Sequence, residues 1–127
     1  MNYGFSKTLK MPYEEVVDKV TEELKSEGFG VLTSIDVRDT LKKKIDVDFK
    51  KYIILGACNP SFAHKALQAE EEIGLILPCN VIVYEKGDST VVSFFDPELM
   101  SQVVDNENLK NIAAEVKQKL LRVYNAV

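Results

Sequence analysis

Cys79-Asn-Val-Ile-Val-Tyr-Glu85, the turn Lys86-Gly-Asp-Ser89 and the run Thr90 to Phe95 follow one another without interruption. Both runs are rich in β-branched and aromatic residues, and a glycine turn between such runs signals a hairpin. Strands joined so tightly must be antiparallel. The rest of the chain alternates between strand-like and helix-like patterns, giving the order β-α-β-α-β-α-β-β-α. A hairpin inside that order argues for α+β architecture with a largely antiparallel or mixed sheet. It argues against a doubly wound parallel fold.

Along the chain, Asn2 to Leu9 reads as a first strand, with Tyr3, Phe5 and the stem of Lys7 on one side. Pro12 opens a helix in which Tyr13, Val16, Val17, Val20 and Leu24 recur at helical spacing. Gly28 is its stop. Phe29 to Ile35 is the second strand. Asp36 caps a short helix, with Val37, Leu41 and Ile45 on its apolar side and Lys42-Lys43-Lys44 on a solvated one. A helix beginning at Pro60 is expected to run to Gly74. The last helix runs from about Asn106 to Tyr124, with Leu109, Ile112, Ala113, Val116, Leu120 and Val123 on one face. No repeat or linker divides the 127 residues, which fit a single domain over 1–127.

A net charge of -4 argues against a general nucleic-acid partner. No apolar run approaches the roughly 20 residues that span a bilayer, so no membrane partner is expected. Without a signal-peptide core at the N-terminus, a cytoplasmic location is expected, with both cysteines reduced. Glycine-rich phosphate loops are absent, which removes the common nucleotide readings and leaves any cofactor unknown.

Chemistry concentrates at Tyr52-Ile-Ile-Leu-Gly-Ala-Cys-Asn-Pro60. Tyr52 to Leu55 suits a strand covered on both faces. Asn59 is a helix N-cap residue and Pro60 fits the first helical position. Cys58 then stands just before a helix start, where the dipole can lower a thiol pKa. If the strands ending at Cys58 and beginning at Cys79 are antiparallel neighbours, Cys58-Asn59 and Cys79-Asn80 share one sheet edge. Asp96, at the end of the hairpin, returns to it. These five residues form a candidate polar ligand pocket suited to a small anion or a thiol compound. Equally, buried cysteines pack as small hydrophobes, and Asn59 is accounted for by capping alone. His64, the one histidine, reads as a surface residue. With two cysteines it falls short of a zinc set, so no metal site is assigned.

Ile54-Leu-Gly-Ala-Cys-Asn-Pro60, Gly74-Leu-Ile-Leu-Pro-Cys-Asn-Val81 and Phe95-Asp-Pro97, preceded by Thr40-Leu-Lys-Lys-Lys-Ile45, together resemble the bacterial and archaeal domain-of-unknown-function family 302. The resemblance spans nearly the whole chain. It implies an α+β domain with a curved, mostly antiparallel sheet, similar in layout to the TATA-binding-protein-like fold, and often dimeric. It implies no activity. A homodimer is expected on separate grounds: Val81, Val83, Val91 and Phe95 exceed what one small core with few helices covers, leaving an apolar sheet face or edge.

Three functions stay open. The first is a non-enzymatic binding or sensing module for a small anion, thiol compound or soft metal, using Cys58, Asn59, Cys79, Asn80 and Asp96. The second is a redox or thiol-transfer enzyme with Cys58 as thiolate and Cys79 as resolving thiol. The third is a structural or assembly domain whose cysteines only pack.

Overall fold

The computed structural model describes residues 2–127. Five strands form one open, curved antiparallel sheet in the order β1-β5-β4-β3-β2. They are β1 (Gly4–Leu9), β2 (Gly30–Asp36), β3 (Tyr52–Cys58), β4 (Cys79–Lys86) and β5 (Ser89–Phe95). The helices are α1 (Tyr13–Ser26), α2 (Val37–Ile45), α3 (Pro60–Ala69), α4 (Leu99–Val103) and α5 (Glu107–Ala126), with a 3-10 helix over Glu71–Ile76. The architecture is α+β, as the hairpin requires. That hairpin closes through Gly87-Asp88, and φ +61° at Gly87 meets the demand of a type II′ loop for glycine at its first central position.

One face of the sheet is covered. Val16, Val20 and Leu24 of α1 and Val116, Leu120 and Val123 of α5 pack on Leu55, Ala57, Val81, Val83, Val92 and Phe94. The inward residues fall at alternate strand positions, as the pleat dictates. Lys7 also points inward: its ammonium donates to the carbonyl oxygens of Tyr124 and Val127 at 2.8 and 3.2 Å, closing the C-terminal end of α5. Asn106 secures the other end. Its side chain accepts from the Leu109 amide at 3.1 Å and donates to the Ala69 carbonyl at 2.8 Å.

The opposite sheet face is open, and this corrects two expectations. Tyr52 to Leu55 is not covered on both faces: Ile53 and Leu55 turn to the core, while Tyr52 and Ile54 stay half-buried on the open side. Val81 and Val83 lie wholly inside the core and Val91 is buried, so they are not surplus apolar surface. The open face carries instead Ile54, Ile82 and the stacked rings of Tyr52 and Tyr84, 5.2 Å apart. Ile35 of the edge strand β2, paired with Ile54, is 48% exposed there. α2 buries no residue, and its lysines pair with Asp39, Asp46 and Asp48 in solvent.

The helix expected to reach Gly74 ends at Ala69. Glu70 is extended, and the chain restarts as the 3-10 helix, which turns Ile73 into a second apolar cluster with Ala66, Met100, Leu109 and Ala113.

α1 ends in a Schellman motif. The Gly28 amide donates to the Lys25 carbonyl at 3.0 Å and the Phe29 amide to the Leu24 carbonyl at 2.9 Å. Gly28 has φ +85°, and a Cβ there would lie 3.1 Å from Asn59 Nδ2. Gly28→Ala should therefore cost about 1–2 kcal/mol, the penalty of a left-handed non-glycine residue. A denaturant midpoint indistinguishable from wild type would refute this.

Candidate functional site

β3 and β4 run antiparallel with Ala57 opposite Cys79. Cys58, the last residue of β3, and Cys79, the first of β4, therefore meet at one end of the sheet. α3 leaves that end and packs beside α5 over it. Between sheet and helices lies a cavity of about 270 Å³. Cys58, Asn59 and Cys79 line it, together with Phe29, Phe62 and Met100 among others. Its outer rim includes Leu32 and Thr33 of β2, where the β2–β3 register slips by one residue between Val31 and Thr33. Such a bulge re-aims side chains beside it. Gly56 lets this rim close tightly: a Cβ there would fall 2.0 Å from Thr33 Oγ1 and 2.9 Å from Pro78 Cγ.

The expected polar pocket is thus a mainly apolar cavity, and only three of the five proposed residues share it. Asn80 follows Cys79 by one residue and so faces the other side of the sheet, exposed beside Pro78 and Phe95. Asp96 is at the same end of the sheet but not on the cavity. Its carboxylate accepts from Lys117 Nζ at 3.0 Å and from the Glu98 amide at 3.0 Å. His64 is exposed on α3 and does not line the cavity.

Asn59 occupies the N-cap position of α3 without capping it. Its Nδ2 donates instead to the Glu27 carbonyl at 3.4 Å, tying α3 to the end of α1. Pro60 at the first helical position carries no amide hydrogen, which removes one donor from the helix start. Accordingly Cys58 does not become acidic. Burial pushes its thiol up, the reverse of the expected shift. Burial, with a further contribution from Cys58, pushes the Cys79 thiol up to about 11. Both sulfurs are free and held neutral at pH 7. Among the described residues no three His, Cys, Asp or Glu side chains are grouped to hold a metal ion.

The raised Cys79 pKa fixes the sign of an alkaline effect. A neutral thiol favoured by the fold contributes stability that is complete below the unfolded value of about 8.5 and is lost as pH rises through the folded one. Wild type should lose up to about 2–3 kcal/mol more than Cys79→Ala between pH 8 and 11, since one pKa unit is about 1.4 kcal/mol. Burial also pushes Tyr13 up, to about 12, and that contribution is common to both proteins. Parallel urea titrations with identical pH dependence would contradict the assignment.

Several cavity residues carried no sequence signal as site residues. Phe62 and Ala66 on α3, and Ile112 and Val116 on α5, are spaced four apart and line it together. That spacing predicts an inward helix face but not a gap between two such faces.

The family model described as "Domain of unknown function DUF302" matches residues 5–127. A crystal structure of an uncharacterized conserved DUF302 protein from Bacillus stearothermophilus is similar, with 28% identity and a TM-score of 0.91. The match covers 99% of this chain and 98% of that one. No curated protein matches the chain.

Proposed function

The chain belongs to the DUF302 family, and we propose that it is a non-enzymatic binding module whose small ligand enters the cavity lined by Cys58, Asn59 and Cys79. One observation carries this: the apolar space of about 270 Å³ at the sheet end. Engineered apolar cavities of about 150 Å³ stay dry and take benzene. The space here suits a ligand of one ring or a short branched chain. A small anion fits poorly, because no Lys, Arg or His lines the cavity and burial keeps both thiols uncharged. The same neutrality weakens the thiol-transfer alternative, which needs a thiolate. Asn80 and Asp96 serve the surrounding frame in this proposal.

Toluene is a suitable first probe. At about a hundred times its dissociation constant, a ligand binding only the folded state stabilises it by about 2.7 kcal/mol. The melting temperature should rise, and methyl resonances of Ile112, Val116 and Ala66 should shift. Ala63→Leu, which places bulk at the lining, should abolish both effects. A rise that survives in Ala63→Leu, or no shift at those methyls, rejects the cavity as the site and favours cysteines that only pack. Rapid alkylation of Cys58 at neutral pH would favour thiol chemistry instead.

A second copy of the chain is proposed to cover the open sheet face. The exposure of Ile35, which pairs with Ile54 and through it neighbours Ile82, supports this. A monomer by sedimentation at micromolar concentration would remove it. No helix among the described residues is long and apolar enough to cross a membrane, and we propose a cytoplasmic, reducing location for the two free thiols.

A further inference from the structure

Phe62 of α3 is half-buried and lines the cavity. Two ammonium groups approach its ring. Lys65 Nζ lies 5.4 Å from the ring centroid and Lys119 Nζ 5.9 Å. The two lysines come from different helices, α3 and α5. Each stands three residues after a lining residue, Phe62 and Val116 respectively, and so beside it on its helix. Among the described residues no other aromatic ring is approached by two cations. Neither lysine has a carboxylate within ion-pair distance among the described residues. Their neighbours on α5 differ: Lys117 pairs with Asp96, and Arg122 with Glu27. Like charges brought to one ring repel. The ring's electron-rich face offsets part of that repulsion, and an anion beside it would offset more.

We infer that the ligand of this cavity is a small monocarboxylate. Its apolar body, one ring or a short branched chain, lies inside, and its carboxylate lies outside on Lys65 and Lys119. The inference rests on the proposal that the cavity is a ligand site. The lining, with Phe29, Val116 and Met100, holds no cation, so a charge inside would be buried unpaired. Neither lysine belongs to the lining. A carboxylate among them keeps contact with water and gains two charge-assisted partners. Flexible four-carbon stems let both ammonium groups turn to one head group. A plain hydrocarbon would fill the space but leave both cations without a counter-charge.

Hydrocinnamate and its neutral counterpart, hydrocinnamyl alcohol, are the probes, titrated by calorimetry at low salt and pH 7. Wild type should prefer the carboxylate by about 5–30-fold, the gain expected of two partly exposed ion pairs. The preference should shrink in about 0.5 M sodium chloride, where screening weakens exposed charges. The double variant Lys65→Gln with Lys119→Gln should lose the preference while binding the alcohol as before. Ala63→Leu should weaken both probes alike. Equal affinities in wild type, a preference that survives the double lysine variant, or carboxylate binding untouched by Ala63→Leu would overturn the inference. Binding of toluene and the alcohol without a carboxylate preference defeats this inference alone. Failure of all three probes defeats the cavity proposal as well.

Discussion

Phe94→Ala should lower stability by about 3–5 kcal/mol, the usual cost of emptying a fully buried aromatic site. Phe94 is 1% exposed and sits where β1, β4, β5 and α5 converge. It faces Phe5 across β1 and Val81 across β4. Its ring stacks on Phe5 at 5.4 Å and meets the edge of Tyr124 at 6.1 Å. Truncation removes its own buried area and also one partner from each aromatic contact. The urea midpoint should fall with an unchanged m-value, the mark of a stability loss without a change in denatured-state compactness. A loss below about 1.5 kcal/mol would show that the junction repacks as freely as a volume-conserving swap.

Leu24→Ala should cost about 2–5 kcal/mol, and its effect should reach the cavity. Leu24 is fully buried and its carbonyl accepts the Phe29 amide in the Schellman motif. Such motifs often carry an apolar contact between these two positions, and both residues belong to the same core cluster. Phe29 in turn lines the cavity. Truncating Leu24 therefore loosens a cavity wall from behind. Toluene affinity should fall even where the variant is still folded. Val20→Ala, one turn earlier in α1 and not on that wall, should lose stability without losing the ligand. Equal affinity in both variants would break the proposed link from α1 to the cavity.

The hairpin, the Asp36 cap and the inward face of α5 were legible because each follows from a local pattern. The Asp39 amide does donate to the Asp36 carboxylate at 2.9 Å. The site was harder. Cys79-Asn80 looks like one unit on paper, but adjacent strand residues face opposite ways, and that rule was available from the sequence. The cavity was not. It arises because α3 and α5, far apart in the chain, leave a gap above the end of β3 and β4. Thiol acidity failed for a related reason. A helix start was correctly placed after Cys58, yet Pro60 withholds a donor and the burial of sulfur outweighs the dipole. How deeply a residue is buried depends on what packs over it, which no local pattern states.

The sheet order has a consequence for how the chain becomes folded. β1 is an edge strand whose one hydrogen-bonded neighbour is β5, with Gly4 opposite Phe95. β5 must pair with β4 through a loop of two residues, so that unit can close in about 1–10 μs once both strands exist. β1 has no such local partner. On the ribosome, with about 5–20 residues added per second, the strand waits roughly 4–17 s before its partner emerges. Phe5 and Leu9 are exposed to water or a chaperone throughout. Closure of the sheet by β1 is also its most non-local pairing, the kind of contact that slows folding. The N-terminal strand should accordingly be the last to acquire protection in pulse-labelled hydrogen exchange, after the β4–β5 hairpin and its pairing with β3 are formed.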